Sequence, residues 1–274
     1  MKLKYNIFLT MLMISTLLSC DSKKDYLVTI TTSYGEIKLI LFDDTPLHKA
    51  NFLELAKAGR YDGTTFHRII EEFMIQGGDV NTKEGTTVSA DAMVPEEIHP
   101  HHIHVRGAVA AARTNNPERK SSECQFYIVQ GKIWTENELT LDQNKFHQYL
   151  RKLLELPKYQ ELRQEIVELQ QEGDGDALTI KIEQLQKVVE KEFDISLTKD
   201  FPAERLELYT TIGGAPHLDD EYTVFGQVLE GMEVVDAIAE QPTTAEKPDE
   251  EIPLKIEVEE MKKSKITKLY GYQY

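Results

Sequence analysis

Apolar and polar positions alternate with a period of two from Tyr26 to Thr32 and again from Glu36 to Phe42. The break at Ser33-Tyr34-Gly35 predicts a β-hairpin. The period then changes. Thr45-Pro46 has N-cap and first-turn chemistry, Ala50, Phe52, Leu53 and Ala56 share a side, and Gly59 stops the run, so a helix is expected. From Phe66 to Asp79 two apolar runs flank a bend and close on Gln-Gly-Gly-Asp, which reads as strand, tight bend, strand, turn. In the first of these strands Arg68 and Ile70 share one face, with Phe66 and Ile69 roughly opposed. An arginine among apolar neighbours needs an anionic or carbonyl partner, or a ligand, because a dry unpaired charge is costly. The competing expectation, at even weight on pattern alone, is an edge-strand arginine reaching water.

Residues 81–95 form a polar stretch without periodicity, expected to be a loop. Val105 to Arg113 is a small-residue strand and Gln125 to Val129 a buried one, joined by the loop 114–124. From 132 to 211 the pattern is helical: Phe146, Leu150 and Leu153, then Leu162, Ile166 and Leu169, then Leu178, Ile182, Leu185 and Val189. Thr135-Glu136-Asn137-Glu138 is a capping box, and Pro157 and Gly173-Asp174-Gly175 punctuate the run. Three amphipathic helices in a hairpin or small bundle follow. Asp174-Gly175-Asp176 lacks the other acidic ligands of a calcium loop. A helix over Gly231–Ile238, an alternating strand over Leu254–Val258 and a mixed tail over 261–274 end the chain.

The length, 274 residues, suits one or two domains with a real core. A net charge of -16 with no strongly basic patch argues against nucleic acid as a partner. Residues 1–20 read as a targeting segment: Lys2 and Lys4, an apolar run from Ile7 to Leu18, then Leu17-Leu18-Ser19-Cys20. That ending resembles a bacterial lipobox, which implies lipidation of Cys20, a short tether over 21–25, and attachment to an envelope membrane through acyl chains. An ordinary signal peptide or a single anchor helix is the alternative. Under the lipobox reading Cys124 is a lone thiol. His99, His101, His102 and His104 crowd one short stretch, and imidazole suits zinc or nickel. Because Pro100 breaks any i, i+4 pairing, a solvated loop without a metal is the expectation.

The stretch Phe66-His67-Arg68, with Ile70, Phe73, Met74, Gln76, Gly77, Gly78 and Asp79, resembles the signature of cyclophilin-type peptidyl-prolyl isomerases. Glu71-Glu72 stand in place of the usual Pro-Gly bend. Gly107 to Arg113 with Gln125-Phe126-Tyr127-Ile128 is similar to a second family block, and Leu218 to Val228 to a third. The resemblance implies a mostly β fold: a closed antiparallel eight-stranded barrel capped by two helices, made from 26–131 and 212–260. An α-helical insertion over 132–211 interrupts it.

Residue by residue, the resemblance implies Arg68 as the catalytic group, with Gln76 orienting it and Phe73 in the proline pocket. Met74, Tyr127 and Leu218 complete that pocket, and Gln125 and Tyr222 add polar edges. Ala112 and Arg113 would offer backbone to an extended substrate. His67 is expected to be structural, and His217 stands where some members have tryptophan. The implied activity is prolyl isomerisation on unfolded or exported chains containing proline, by a monomer needing no cofactor. A peptide-binding or chaperone-like module that uses the groove and insertion without catalysis is the alternative.

Overall fold

In the computed structural model of the chain, residues 23–87 and 92–274 are described. The targeting segment and Cys20 lie outside them. The chain divides into two compact units, residues 133–213 and the remainder.

The larger unit begins with β1 (Lys24–Thr32) and β2 (Gly35–Leu41), antiparallel around the expected turn. β1 includes Lys24 and Asp25, which the sequence pattern assigned to a tether. Asp25 is buried and accepts a 2.7 Å bond from Lys49, which explains why a carboxylate can start a core strand. Helix α1 (Pro46–Lys57) starts at Thr45-Pro46 as predicted, but Thr45 makes no cap bond. The Glu97 carboxylate takes the Leu47 and His48 N–H groups instead, each at 2.9 Å. Strands β3 (Thr64–Ile70) and β4 (Met74–Gly77) follow. Next comes α2 (Val80–Glu84), a turn of helix within the stretch expected to be loop; Asp79 caps it by accepting from Thr82 N–H. Strands β5 (Ala108–Ala111) and β6 (Phe126–Val129) complete the first half.

The smaller unit holds α3 (Glu136–Thr140), α4 (Gln143–Glu155), α5 (Gln160–Glu172), α6 (Gly175–Phe193) and α7 (Ala203–Thr211). The three predicted apolar stripes are α4, α5 and α6, whose Phe146, Leu153, Ile166, Leu185 and Val189 form one core. Thr135 and Glu138 exchange both capping-box bonds. Helices α3 and α7 are additional to the three predicted; each is short, and α7 buries Tyr209 completely.

The barrel resumes with β7 (Val224–Glu230), α8 (Met232–Ala239), the short hairpin β8 (Thr243–Thr244) and β9 (Lys247–Pro248), β10 (Pro253–Lys262) and α9 (Lys263–Tyr270). The expected mixed tail is therefore the end of β10 and a helix. Ile266 of α9 is fully buried against Leu27, Ile40 and Met261. Eight strands close in the order β1-β10-β3-β4-β6-β5-β7-β2, all antiparallel. The core draws Ile30, Leu39, Phe66, Ile69, Ile75, Phe126 and Ile128 from the strands, Phe52 from α1, and Val235 and Ile238 from α8.

Strict alternation would send Phe66 and Arg68 to the same face. The β3–β4 register shifts between them, so Phe66 and Ile69 enter the core while Arg68 and Ile70 turn outward. At the neck of the insertion, Gly214 N–H donates to the Lys132 carbonyl at 3.0 Å. Gly131 sits there at φ +67, and a Cβ on it would lie 2.4 Å from the Gly214 Cα. Backbone cannot move aside as a flexible side chain can. Gly131→Ala should therefore cost more than about 2 kcal/mol in urea unfolding, from left-handed strain plus the clash. Gly85→Ala, at φ +66 with nothing within 4 Å, should cost about 1 kcal/mol, from the backbone strain alone.

Candidate active site

The outward face of the barrel carries a row of side chains set by register. Arg68 on β3 pairs with Gln76 on β4, Gln76 with Tyr127 on β6, and Tyr127 with Ala110 on β5. One step along, Ile70, Met74 and Val129 form a parallel row. A cavity of about 110 Å³ opens over these rows, lined by Arg68, Phe73, Met74, Gln76, Ala112, Arg113, Tyr127, Leu218 and Tyr222. An apolar site near 150 Å³ takes benzene, so this volume suits a five-membered ring.

Arg68 is 40 % exposed at the rim. Its Nε donates to Glu246 Oε2 at 2.7 Å, and Nη1 reaches Gln76 Oε1 at 3.5 Å. Gln76 Nε2 in turn donates to Gln125 Oε1 at 3.0 Å, which draws Gln125 into the site although it does not line the cavity. Gln76 thus approaches the guanidinium from β4 while Gln125 holds Gln76, and Arg68 itself lines the cavity. Glu246 is a site residue that the sequence reading missed. It sits on the β8–β9 turn, where Ala245 (φ 52) and Glu246 (φ 66) are both left-handed, and its carbonyl accepts from Ile69 N–H at 2.9 Å. Turns of this kind are usually marked by Asn-Gly or Asp-Gly, and Ala-Glu carries no such signal.

The bend before Phe73 keeps the conformation a glycine would prefer. Glu72 has φ 61, and its N–H donates to Gln130 Oε1. Gln130 also reaches Asp236, and the N–H groups of Gln130 and Gly131 both bond the Phe73 carbonyl at 3.0 Å. That network holds Phe73 over the cavity despite the Glu71-Glu72 replacement.

Tyr127 forms the floor. Its hydroxyl lies 3.0 Å from His104 Nε2, and His104 Nδ1 lies 3.1 Å from Asp219 Oδ1. A carboxylate only accepts, so Nδ1 carries the proton and Nε2 accepts from the tyrosine O–H. The hydroxyl is thus spent beneath the pocket, and the ring face that remains is apolar. Burial pushes the hydroxyl well above the usual tyrosine range. His104, expected to belong to the histidine-rich loop, is instead fully buried in the pocket floor.

Ala112 corrects one expectation. Its N–H donates to the Gln125 carbonyl at 3.0 Å and its carbonyl accepts from Ser122 at 2.7 Å, so it gives the groove a methyl rather than free backbone. Arg113 covers the Tyr222 ring at 4.6 Å and donates to Glu221. Leu218 stands on the 3-10 turn Pro216–Leu218, and the His217 ring packs 5.1 Å from Phe73. His67 falls in the β3 bulge and does not line the cavity. Burial lowers its pKa below the ordinary 6.5 against the pull of Asp79, so it is neutral near pH 7.

A family model described as "Cyclophilin type peptidyl-prolyl cis-trans isomerase/CLD" matches residues 27–153 and 154–260. A Streptococcus pyogenes protein named "Putative bifunctional phosphatase/peptidyl-prolyl cis-trans isomerase" is 33% identical over 233 residues, 82% of this chain but 37% of that protein. The chain therefore spans about a third of that relative. A Staphylococcus epidermidis protein named "Putative peptidyl-prolyl cis-trans isomerase" is 29% identical over 237 residues, 85% of this chain and 91% of that one. Among solved structures, a cyclophilin from Cryptosporidium parvum shares the fold at TM-score 0.51 and 21% identity, covering 86% of this chain and 98% of its own. The same protein has also been solved in the presence of the dipeptide Ala-Pro.

Removing the Tyr127 hydroxyl leaves His104 Nε2 buried without a donor. Tyr127→Phe should lower stability by about 1–3 kcal/mol in urea unfolding. An unchanged midpoint would mean the hydroxyl bond contributes nothing.

Proposed function

We propose, on the premise that the chain belongs to the cyclophilin-type peptidyl-prolyl cis-trans isomerase family, that it turns X–Pro bonds in extended polypeptides, with Arg68 as the catalytic residue. The observation that carries this reading is the convergence of Arg68, Phe73, Met74, Gln76, Tyr127 and Leu218 on one cavity sized for a proline ring.

Rotation about a peptide bond has a barrier of about 18–20 kcal/mol, because amide resonance is lost. For X–Pro the two isomers are close in energy but exchange over tens to hundreds of seconds. The enzyme therefore needs no nucleophile or acid; it needs to bind the twisted amide better than the planar one. In the twisted state the prolyl nitrogen becomes pyramidal and exposes a lone pair. A guanidinium N–H aimed at that nitrogen forms a charge-assisted bond unavailable in the ground state, worth about 1.5–3 kcal/mol. The apolar walls (Phe73, Met74, the Tyr127 ring and Leu218) act in the same direction, since the planar amide is the more polar form and loses solvation there.

Tyr127 stays protonated, because burial holds its hydroxyl well above the usual tyrosine range. Burial lowers the pKa of both His67 and His217 below the ordinary 6.5. Arg68→Ala should lower kcat/KM on a proline-containing tetrapeptide by about 10- to 150-fold, at about 1.4 kcal/mol per tenfold, mostly through kcat. The wild-type profile should be flat from about pH 7 to 9, whereas a bell with two limbs there would indicate acid–base chemistry. Wild-type activity in Arg68→Ala would remove Arg68 from the mechanism, whereas a wild-type chain without isomerase activity would leave only the non-catalytic peptide-binding reading.

The place of action belongs to this proposal too. Leu17-Leu18-Ser19-Cys20 supports a lipid anchor on Cys20, and among the described residues no helix is long and apolar enough to cross a membrane. The enzyme would then work at an envelope membrane on exported chains. Metabolic labelling with a palmitate analogue should mark the wild-type chain and not Cys20→Ala; equal labelling of both removes the anchor.

A further inference from the structure

We propose that Asp44, His101 and His102 form a binding site for a first-row divalent transition metal, of the zinc, nickel or copper class, with His99 beside it. The ligand set is two imidazoles and a carboxylate, whose donor atoms all lie within 4.8 Å of one another.

The sequence argument against a metal was that Pro100 breaks helical spacing. In the folded chain Pro100 has the opposite effect. His99 to His102 form a tight turn, with His102 N–H donating to the His99 carbonyl at 3.0 Å and Pro100 at the second position, where its fixed φ favours turning. The turn stacks the rings of His99 and His101 with centroids 5.4 Å apart and sets those of His101 and His102 at 4.2 Å. All three point Nε2 at one residue. His101 meets Asp44 Oδ2 at 2.9 Å, His102 meets Oδ1 at 2.8 Å, and His99 meets the Asp44 carbonyl at 2.8 Å.

Two features show that the arrangement is positioned rather than accidental. The His102 ring stacks on Phe42 at 4.1 Å and 14°, which fixes the direction of its Nε2. The adjacent Asp43 takes Lys49 and Lys263, so the lysines nearby are engaged and the ion-pair partners of Asp44 are the imidazoles. His104, the fourth histidine of the stretch, is turned away into the pocket floor.

A tetrahedral ion with bonds of about 2.0–2.1 Å sets its ligand atoms about 3.3 Å apart. The two Nε2-to-carboxylate hydrogen bonds are a few tenths of an ångström shorter, while the ligand atoms as a set lie within 4.8 Å of one another, so an ion replacing the bridging protons would have the two imidazoles adjust around it. Imidazole with carboxylate selects zinc, nickel or copper over magnesium. Three protein ligands leave a further coordination position, which His99 or water can fill. Such an ion would tie the turn at 99–102 to the loop ahead of α1.

The test is titration of the full chain with Zn²⁺ by calorimetry, and with Co²⁺ by its visible d–d absorption. The expected result is one saturable ion per chain, with at least tenfold weaker binding in His102→Ala and Asp44→Asn. A rise in the thermal midpoint with Zn²⁺ should vanish in those variants. His101→Ala guards against misfolding, since that side chain is 64% exposed, and it should weaken binding similarly. Unchanged affinity in these variants, no saturable binding, or equal binding of Mg²⁺ would overturn the proposal.

Discussion

A cation on the wall of an apolar groove has to be held at its edges, and the binding face of this barrel depends on how Arg68 is held. Glu246 takes the Nε edge and Gln76 approaches from beneath, backed by Gln125. As a stability term the Arg68–Glu246 pair is small, since exposed ion pairs contribute about 0–1 kcal/mol. Its value is orientational: with one edge fixed, the other donors have a defined direction over the pocket floor.

The same short strand serves the core and the site, and the bulge between Phe66 and Arg68 makes that possible. Without the shift, either Phe66 would leave the core or Arg68 would enter it, the latter being far more costly. On the outer face, polar atoms are consumed below the surface: the Tyr127 hydroxyl by His104, and the Ala112 backbone by Gln125 and Ser122. The cavity floor is therefore largely apolar, and Arg68, Gln76 and Arg113 supply polar groups around it. At the neck of the insertion, Lys132 and Gly214 are paired, so residues 133–213 leave and re-enter the barrel at one point and the strand order stays closed.

Much of this was legible from residue pattern. Alternation located β1 and β2, Thr45-Pro46 located α1, and the three apolar stripes located α4 to α6. Resemblance to a family named the pocket residues, and the fold brings nine of them around one cavity, Arg68, Met74, Gln76 and Tyr127 by strand register. Less legible was whatever depends on partners distant in sequence. Glu97 caps α1 in place of Thr45, and Glu246 reaches Arg68 from a turn without glycine. The tail helix α9 was hidden because only Ile266 is buried in it, too little for a periodic signal. The histidine turn was not foreseen, because Pro100, which bars helical pairing, holds the second position of a tight turn that brings His99, His101 and His102 onto Asp44.

In the proposed mechanism Arg68 and Gln76 form one device, the second acting through the first. A double-mutant cycle on kcat/KM with Arg68→Ala, Gln76→Ala and the pair tests this most directly. The account predicts that the double variant is no slower than Arg68→Ala alone, within about twofold, because Gln76 has nothing left to orient. Full additivity of the two losses would contradict it.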